Sequence, residues 1–536
     1  MNKKDFWKIA AAVLLLILTL TAVIWVISRG GKPAGRQETG SQTAAAETPQ
    51  EETEEEPPEE SRDEELPEET EETAEETSAD ARPEKPEKET EPGTDEQIQE
   101  VPAPYEPPVL AVVSDLHYQS HSITDFGKAY YDFIAGGDGK VVHYLPELLE
   151  AFIDEMISLK PNAVVISGDI TMNGEIENHQ ELSQKLERLQ QAGVQVLVIP
   201  GNHDINNHNA ARYFGSEKTE GQPITAQEFY EFYREFGCDQ ALSRDPASLS
   251  YVYPLDEKYW LMMLDTCQYE PVNLVGGRLR EETLRWMDEQ FQAAREAGVT
   301  VIPVGHHNLL PESSLYTTDC ALEDYEAVAN YLEAWHIPVY ISGHLHVQRL
   351  KKRGKLPLSE EKLGPGPRLD AKRQAEASGE NPYGIYEIVS DAVSIPPCQY
   401  GVIRWDKDGN MTYQTRETDV SSWAAARGIE NPDLLNFENY SREYIKKLTA
   451  RRIEGKMEPV SQRFVDDMTG LYADLYQDYY AGRVIDAKET YGSLAWQWWM
   501  RLLPDSRQVK EMRAMVGDSE KDNNYLYLPA ETDLPE

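Results

Sequence analysis

Histidine and carboxylate side chains follow five short apolar runs of the sequence. The five polar blocks are Asp115-Leu116-His117, Gly168-Asp169, Gly201-Asn202-His203-Asp204, Gly305-His306-His307 and Gly343-His344-Leu345-His346. These blocks contain six of the eleven histidines of the chain, which is more clustering than scatter would produce. Imidazole, carboxylate and amide oxygen together suit borderline divalent metals such as Mn, Fe or Zn. One carboxylate can also bridge two ions about 3.5–4 Å apart. The pattern therefore indicates a site for two divalent metal ions.

The runs that precede the blocks have the length and composition of buried β-strands. They cover residues 109–115, 163–169, 194–201, 300–305 and 338–343. Apolar residues at helical spacing lie between the first three, at 145–157 and 182–189, and this alternation predicts an α/β core. Ligands of α/β sheets gather at the carboxyl ends of strands, so we expect the five blocks to meet in one place.

Further strand candidates cover residues 250–255, 259–265, 385–390 and 400–405. The later strands of the chain show no obvious helical pattern between them, which predicts antiparallel pairing. Beyond about residue 420, aromatic residues recur at helical spacing, as in the set Phe437, Tyr440 and Tyr444. This spacing predicts a small helical C-terminal region whose aromatic residues serve packing.

The five blocks, in this order and each after a strand, resemble those of the calcineurin-like metallophosphoesterase superfamily. The resemblance covers about residues 109–415, and it is closest in the segments ISGDITMNGE and VIPGNHDIN. It implies a four-layer α/β/β/α sandwich with mixed sheets. It also implies hydrolysis of a phosphate mono- or diester by attack of a hydroxide that bridges two metal ions.

The resemblance also implies a role for each polar residue of the blocks. The ligands of one ion would be Asp115, His117 and His346, those of the other would be Asn202, His306 and His344, and Asp169 would bridge the two. His203 would instead contact the phosphoryl oxygens and help protonate the leaving group. Two points stay open: His307 could replace His306 as the ligand, and Asp204 could orient His203 or serve the local fold.

The first 107 residues differ in composition from the rest of the chain. Residues 9–28 carry no charge and are long enough to cross ~30 Å of hydrocarbon as a helix. This favours a transmembrane anchor within residues 1–36, and a cleaved signal peptide is the alternative. Residues 38–100 hold 26 acidic and 4 basic residues, so their net charge of −22 is half of the −44 of the whole chain. We therefore expect residues 37–107 to be a disordered acidic Pro/Glu/Thr-rich linker.

The predicted domains are then the anchor, the linker, a phosphoesterase domain over 108–418 and a helical C-terminal domain over 419–536. We expect a single-pass protein of the cell membrane with its catalytic domain outside the cell, or a secreted protein if the N-terminal helix is removed. The expected substrate is a phosphate-ester small molecule, a lipid or a wall polymer. The acidic composition argues against nucleic acid as a ligand. The alternative function is a surface-displayed binding or adhesion protein with a vestigial metal site.

Overall fold

The computed structural model describes residues 104–353 and 384–530, which belong to the second of two compact units of the chain, residues 99–536. The predicted anchor over residues 9–28 and most of the acidic linker lie outside the described residues. Within the described ranges, no helix combines the length and the apolar character needed to cross a membrane.

The strands of the described residues are, in chain order, β1 (Val109–Val113), β2 (Ala163–Ile166), β3 (Gln195–Val198), β4 (Ala211–Phe214), β5 (Glu217–Glu220), β6 (Ser243–Arg244), β7 (Tyr251–Pro254), β8 (Tyr259–Met263), β9 (Thr300–Val304), β10 (Val339–Ser342), β11 (Arg349–Lys352), β12 (Tyr386–Val389), β13 (Gln399–Trp405), β14 (Met411–Glu417) and β15 (Tyr525–Leu528). The α-helices are α1 (Lys128–Gly136), α2 (Leu145–Leu159), α3 (Ile176–Gln191), α4 (Ala226–Tyr233), α5 (Glu281–Ala297), α6 (Tyr325–Ala334), α7 (Val420–Ala426), α8 (Pro432–Leu435), α9 (Phe437–Ile453), α10 (Gln462–Tyr480), α11 (Ala487–Gly492), α12 (Leu494–Leu502) and α13 (Arg507–Asp518).

Two mixed sheets form the centre of the fold. One has the strand order β15-β14-β13-β1-β2-β3 and the other β11-β12-β10-β9-β8-β7-β6. In the first sheet, β1, β2 and β3 are parallel, and Val113 lies opposite Ile166, which in turn lies opposite Val198. The three strands therefore end at the same level, and the polar blocks that follow them emerge at one edge.

The alternation of side chains along β1 shows how the layers are built. Leu110 and Val112 pack into a core that also contains Leu261 and Ile341 of the second sheet. Ala111 and Val113 point the other way, into a core formed with α2 and α3. On the far side of the second sheet, α5 and α6 pack into a further core. Helices thus cover the outer faces of both sheets, and the predicted mixed α/β fold is confirmed.

The prediction that the later strands lack intervening helices was wrong. Helix α5 connects β8 to β9 and α6 lies between β9 and β10, and these three strands pair in parallel. The apolar face of α5 is a narrow stripe that includes Trp286, Met287 and Phe291, set among charged residues and glutamines. Antiparallel pairing is found where β13 meets β1 and β14.

The C-terminal helices share a core with α1 and the first turns of α2. Tyr130, Ile134 and Leu148 from the earlier part of the chain belong to the same buried cluster as Ile445 and Tyr476. The prediction of helices beyond residue 420 agrees with the structure, but the exact domain limits stay predictions. The four cysteines of the chain, Cys238, Cys267, Cys320 and Cys398, all lie in the described ranges and are free thiols.

Candidate metal centre

The polar blocks turn sharply away from their strands. Five of their residues have a left-handed backbone, which is uncommon for residues other than glycine: Asp115 (φ 52°), His117 (φ 44°), Asp169 (φ 47°), His344 (φ 71°) and His346 (φ 59°). Such conformations cost of the order of 1–3 kcal/mol each and persist only where the surroundings enforce them. In a strand, successive side chains point to opposite faces of the sheet. The left-handed turns end this alternation, so neighbouring polar side chains of a block can point to the same site.

Glycine before a block allows the blocks to approach each other closely. A Cβ at Gly343 would lie 1.7 Å from Ser114 Oγ, and one at Gly201 would lie 2.1 Å from the amide nitrogen of Asp169. A larger residue at either position would clash with these atoms and displace the neighbouring block. The amide of His117 also donates to the carbonyl of Asp169 at 2.9 Å, which joins the first two blocks directly.

The first group of candidate ligands contains Asp115, His117, Asp169 and His346, whose nearest ligand atoms lie within 4.8 Å of one another. Nε2 of His346 lies 3.3 Å from Asp115 Oδ1, and Nε2 of His117 lies 3.7 Å from the same oxygen. Nε2 of His117 is also 3.8 Å from Asp169 Oδ2. Asp115 Oδ1 is buried and has no hydrogen-bond partner among the described residues. A buried, unpaired carboxylate oxygen that faces imidazole nitrogens fits the ligand shell of a cation.

The second group surrounds Nε2 of His306. This nitrogen lies 3.1 Å from Asn202 Oδ1, 3.2 Å from Nδ1 of His344 and 3.3 Å from Asp169 Oδ2. Asp169 Oδ2 therefore faces both groups, which is the position that a bridging carboxylate needs. The structure brings all seven predicted ligands together, although their assignment to two ions stays a prediction.

His307 also lies near His306 and His344. Its two ring nitrogens are engaged elsewhere, Nδ1 with Thr266 Oγ1 at 2.8 Å and Nε2 with the carbonyl oxygen of Val275 at 2.8 Å. The ring of His306 instead leaves Nε2 open towards the candidate ligands, because its Nδ1 is held 2.9 Å from the carbonyl oxygen of Ser167. This geometry favours His306 over His307 as the ligand.

The charges of the site match what a cation requires. Burial raises the pKa of Asp169, but His306 and His203 outweigh it and hold this pKa well below its usual range. Burial holds the pKa of His117 well below 6.5, and burial together with His306 lowers the pKa of His344 to about 4. An ionised carboxylate and neutral imidazoles are the forms that bind metal.

Two imidazoles of the site, those of His306 and His346, hold a proton more strongly than usual because nearby carboxylates raise their pKa. Burial lowers the pKa of His306, but the neighbouring Asp169 carboxylate overcomes burial and raises this pKa to about 9. A cation next to Asp169 would release the proton of His306, because a ligating imidazole must be neutral.

His203 stands at the rim of the centre rather than inside it. Its Nδ1 lies 2.6 Å from the carbonyl oxygen of Met172, which fixes the ring with Nδ1–H as the donor. Nε2 faces the centre, 4.0 Å from Asp169 Oδ2, and one third of the side chain is exposed. The Met172 carbonyl therefore orients this ring. Asp204 does not, because its carboxylate accepts hydrogen bonds from the amides of Ile170, Thr171 and Gly201.

Two outer residues were not found from the sequence. The Asp319 carbonyl oxygen accepts from Nε2 of His344 at 2.8 Å, and Asp138 Oδ2 lies 3.5 Å from Nδ1 of His346. Such partners fix the ring orientation and tautomer of a ligating histidine. Both belong to loops without a motif, and a glycine-rich turn around Asp138 is the only local signal.

Two family models match the chain. The calcineurin-like phosphoesterase model matches residues 108–348, and the model of the C-terminal domain of cyclic nucleotide phosphodiesterase matches residues 419–522.

Two protein sequences and one solved structure are among the similar proteins. A probable cyclic nucleotide phosphodiesterase of Ruthia magnifica subsp. Calyptogena magnifica is 24% identical over 42% of this chain and 79% of its own length. The glycerophosphodiester phosphodiesterase GpdQ of Enterobacter lignolyticus (strain SCF1) is 28% identical over 44% of this chain and 70% of its own length. The structure of a dimetal phosphatase from Danio rerio superposes with a TM-score of 0.39 and 14% identity, over 58% of this chain and 97% of that one. A TM-score this low has no bearing on function.

The ligand types, their buried arrangement and the family match agree with each other. The chain therefore carries a calcineurin-like phosphoesterase domain over residues 108–348, the domain of a dinuclear metal-dependent phosphohydrolase.

Proposed function

We propose that the protein hydrolyses a small phosphodiester, and that the residues of the five blocks carry the reaction. The observation that supports this most directly is the position of Asp169 Oδ2, 3.3 Å from His306 Nε2 and 3.8 Å from His117 Nε2, between the two groups of candidate ligands. Asp115, His117 and His346 would hold one ion and Asn202, His306 and His344 the other. When bound, two divalent ions supply Lewis acidity to a water molecule and to the phosphoryl oxygens.

His203 is the residue that would act on the leaving group. Its Nδ1–H is committed to the Met172 carbonyl, so Nε2 is the nitrogen that faces the centre and the solvent. A proton on Nε2 would pass to the leaving oxygen as the phosphorus–oxygen bond breaks. Alkoxide leaving groups need this proton most, because their conjugate acids are weak.

The exposed edge of the centre indicates where a substrate approaches. His203 and His344 are partly exposed, and the side chain of His346 is 15% exposed, whereas Asp115, His117 and His306 are fully buried. A phosphoryl group docked on this edge would lie next to His203 and keep the rest of the substrate in solvent.

A diester is favoured over a monoester by the relatives, which are named as a probable cyclic nucleotide phosphodiesterase and a glycerophosphodiester phosphodiesterase. The match of residues 419–522 to the C-terminal domain of cyclic nucleotide phosphodiesterase supports the same choice. Cyclic nucleotides and glycerophosphodiesters are therefore the first substrates to test, and lipid and wall-polymer diesters follow.

The test is a panel of esters assayed on residues 104–536 after metal removal and reloading with Mn²⁺, Fe²⁺ or Zn²⁺. The panel contains bis(p-nitrophenyl) phosphate, p-nitrophenyl phosphate, a 3′,5′-cyclic nucleotide, glycerophosphocholine and a wall-polymer diester. We expect the aryl diester to be hydrolysed faster than the aryl monoester, with at least one of the natural diesters as a substrate. Asp169→Ala protein from the same preparation controls for contaminating phosphatases. Hydrolysis of the monoester alone would overturn the proposal.

We also propose that residues 9–28 anchor the protein in the cell membrane with the phosphoesterase domain outside. The support is the uncharged run of apolar residues followed by an acidic segment. The test is fractionation of cells that express the full chain, followed by protease treatment of intact cells. Protein in the membrane fraction that is degraded from outside is expected, and protein resistant to the protease until lysis would contradict the proposal.

A further inference from the structure

Helix α10 places a row of buried tyrosines against two loops that reach the candidate metal centre. The Tyr476 hydroxyl donates to the carbonyl oxygen of Asp138 at 2.5 Å. One turn later, the Tyr479 hydroxyl lies 2.5 Å from Ser313 Oγ. Tyr476 and Tyr479 are 3% and 0% exposed, so neither hydroxyl can exchange its partner for bulk water without local opening.

The first loop covers residues 137–140 and carries Asp138. Each of three side chains from the C-terminal helices donates to a backbone carbonyl of this loop. Arg452 donates to Gly137, Tyr476 to Asp138, and Tyr444 to Lys140. The loop is thus held by its backbone. The side chain of Asp138 places Oδ2 between Nζ of Lys140, at 2.6 Å, and Nδ1 of His346.

The packing of α10 on this loop is close. Gly139 has a φ of 121°, and a Cβ at this position would lie 2.3 Å from the Tyr476 hydroxyl oxygen. Held in this way, Asp138 places Oδ2 3.5 Å from Nδ1 of His346. The far nitrogen of that ring, Nε2, is the one that faces Asp115 and His117.

The second loop covers residues 311–320 and carries Asp319. Asp518, at the end of α13, accepts from the amide and the hydroxyl of Ser314, both at 2.8 Å. The Tyr316 hydroxyl contacts that of Tyr480. At the far end of this loop, the carbonyl oxygen of Asp319 accepts from Nε2 of His344.

The end of α10 also holds the chain directly after the last polar block. The carbonyl oxygen of Tyr480 accepts from the amide of Gln348 at 2.8 Å. The carbonyl oxygen of Tyr479 accepts from Arg349, whose guanidinium lies 4.5 Å from the centre of the Tyr479 ring. The segment that follows His346 is therefore fixed to the same turn of helix that holds the two loops.

We propose that the C-terminal end of α10 is a positioning element of the metal centre, which orients His346 through Asp138 and His344 through Asp319. The inference rests on the proposed function in that it takes His344 and His346 to be ligands of the catalytic ions. Outer partners of ligating histidines contribute about 10- to 100-fold to metal affinity. Tyr476 and Tyr479 act one step further out, so their hydroxyls should contribute less than Asp138 does.

Tyr472 provides a matched control on the same helix. It is 2% exposed, and its hydroxyl donates to Glu511 at 2.7 Å, within the C-terminal helices. Tyr472→Phe therefore removes one buried hydroxyl from α10 without touching either loop. If α10 served only packing, the three Tyr→Phe variants would have equal effects on metal binding.

The experiment uses the full chain and the variants Tyr472→Phe, Tyr476→Phe, Tyr479→Phe and Asp138→Asn. Mn²⁺ and Zn²⁺ binding to metal-stripped protein is measured by calorimetry, and thermal unfolding in chelator shows that each variant is folded. We expect Tyr476→Phe and Tyr479→Phe to weaken binding about 3- to 10-fold and Asp138→Asn about 10-fold or more, with Tyr472→Phe within twofold of wild type.

The outcomes separate the two proposals. Equal metal affinity in all three Tyr→Phe variants would overturn the positioning role, even if Asp138→Asn weakened binding. Wild-type protein that binds two ions and shows the expected order of variants, but hydrolyses no ester, would overturn the proposed function alone. Wild-type protein that binds no metal would overturn both.

Discussion

Nε2 of His117 lies 3.0 Å from Nε2 of His346, although 229 positions separate the two residues in the chain. Two imidazole nitrogens at this distance share a proton or a cation, and Asp115 Oδ1, 3.3 Å from His346 Nε2, adds a negative charge beside them. The contact joins the first polar block to the last one. Removal of either side chain should therefore weaken metal binding.

His346→Ala should weaken the binding of one ion by more than about 100-fold, because loss of a ligand should exceed the range found for outer partners. In the wild type, Mn²⁺ at a hundred times its dissociation constant should stabilise the fold by about 2.7 kcal/mol over metal-stripped protein. Thermal unfolding with and without Mn²⁺ measures this gain, which should shrink in the variant. His208→Ala, at an exposed position, is the control and should keep the full gain.

Asp169→Ala should lower the uptake of both ions, whereas His344→Ala should lower the uptake of one. The reason is that Asp169 Oδ2 faces both groups of ligands and His344 faces only the second. Both variants should lose Mn²⁺-dependent hydrolysis of an aryl phosphate. Metal analysis after dialysis measures the stoichiometry, and wild-type turnover in either variant would contradict the assignment.

His203→Gln should keep both metal ions and lose activity in proportion to the basicity of the leaving group. General acid catalysis contributes about 10²- to 10⁴-fold, and a p-nitrophenolate needs little protonation. We therefore expect a small loss with bis(p-nitrophenyl) phosphate and a large loss with an alkyl diester. Steady-state kinetics on the two esters give the ratio, and an equal loss on both would exclude His203 as the acid.

Asp204→Ala should destabilise the fold by about 3–5 kcal/mol. Its carboxylate is fully buried and accepts from the amides of Ile170, Thr171 and Gly201, so its removal leaves buried donors without partners. Chemical denaturation of metal-stripped protein measures the change. Asp406→Ala is the control, because Asp406 also accepts from several groups but is exposed, where water can replace it.

Glu333→Gln should flatten the pH dependence of stability. Burial raises the pKa of Glu333 to about 7, although Arg353 Nη1 lies 3.5 Å from its Oε2. The pKa of Glu333 is higher in the folded state than in the unfolded state. Its contribution to the free energy of unfolding is therefore complete below pH ~4.5 and is lost as the pH rises to ~7. Between pH 5 and pH 8, the free energy of unfolding should therefore fall by about 2 kcal/mol less in the variant than in the wild type. Denaturation of metal-stripped protein at both pH values measures it, and parallel curves would contradict the assignment.

Part of the fold could be predicted because it depends on short stretches of the sequence. The runs before Asp115, Asp169 and Asn202 are apolar at nearly every position, as expected of a strand buried on both faces. Helix α5 was missed because its buried residues Trp286, Met287 and Phe291 stand among charged residues and glutamines. Helix α6 was missed because it is short, from Tyr325 to Ala334. Strands β8, β9 and β10 pair in parallel because helices connect them, and the local sequence of the strands does not show this.

Residue spacing alone could not decide whether His306 or His307 is the better candidate ligand. The two residues are adjacent and chemically identical, and only the neighbours of each ring distinguish them. Ser167 holds His306 with Nε2 towards Asp169, while Thr266 and Val275 occupy both nitrogens of His307. Asp138 and Asp319 were missed for a related reason, since no motif marks a residue that acts through its contact with a distant histidine.

The sequence by itself determined which residue types stand at the ends of the strands, and hence the class of chemistry, because strand formation and glycine turns depend on nearby residues. The tertiary structure decided which nitrogen of each histidine is open, which carboxylate faces both groups, and which loops near the centre contact the C-terminal helices. These depend on contacts between residues up to several hundred positions apart, and such contacts form only when the sheets and helices pack together.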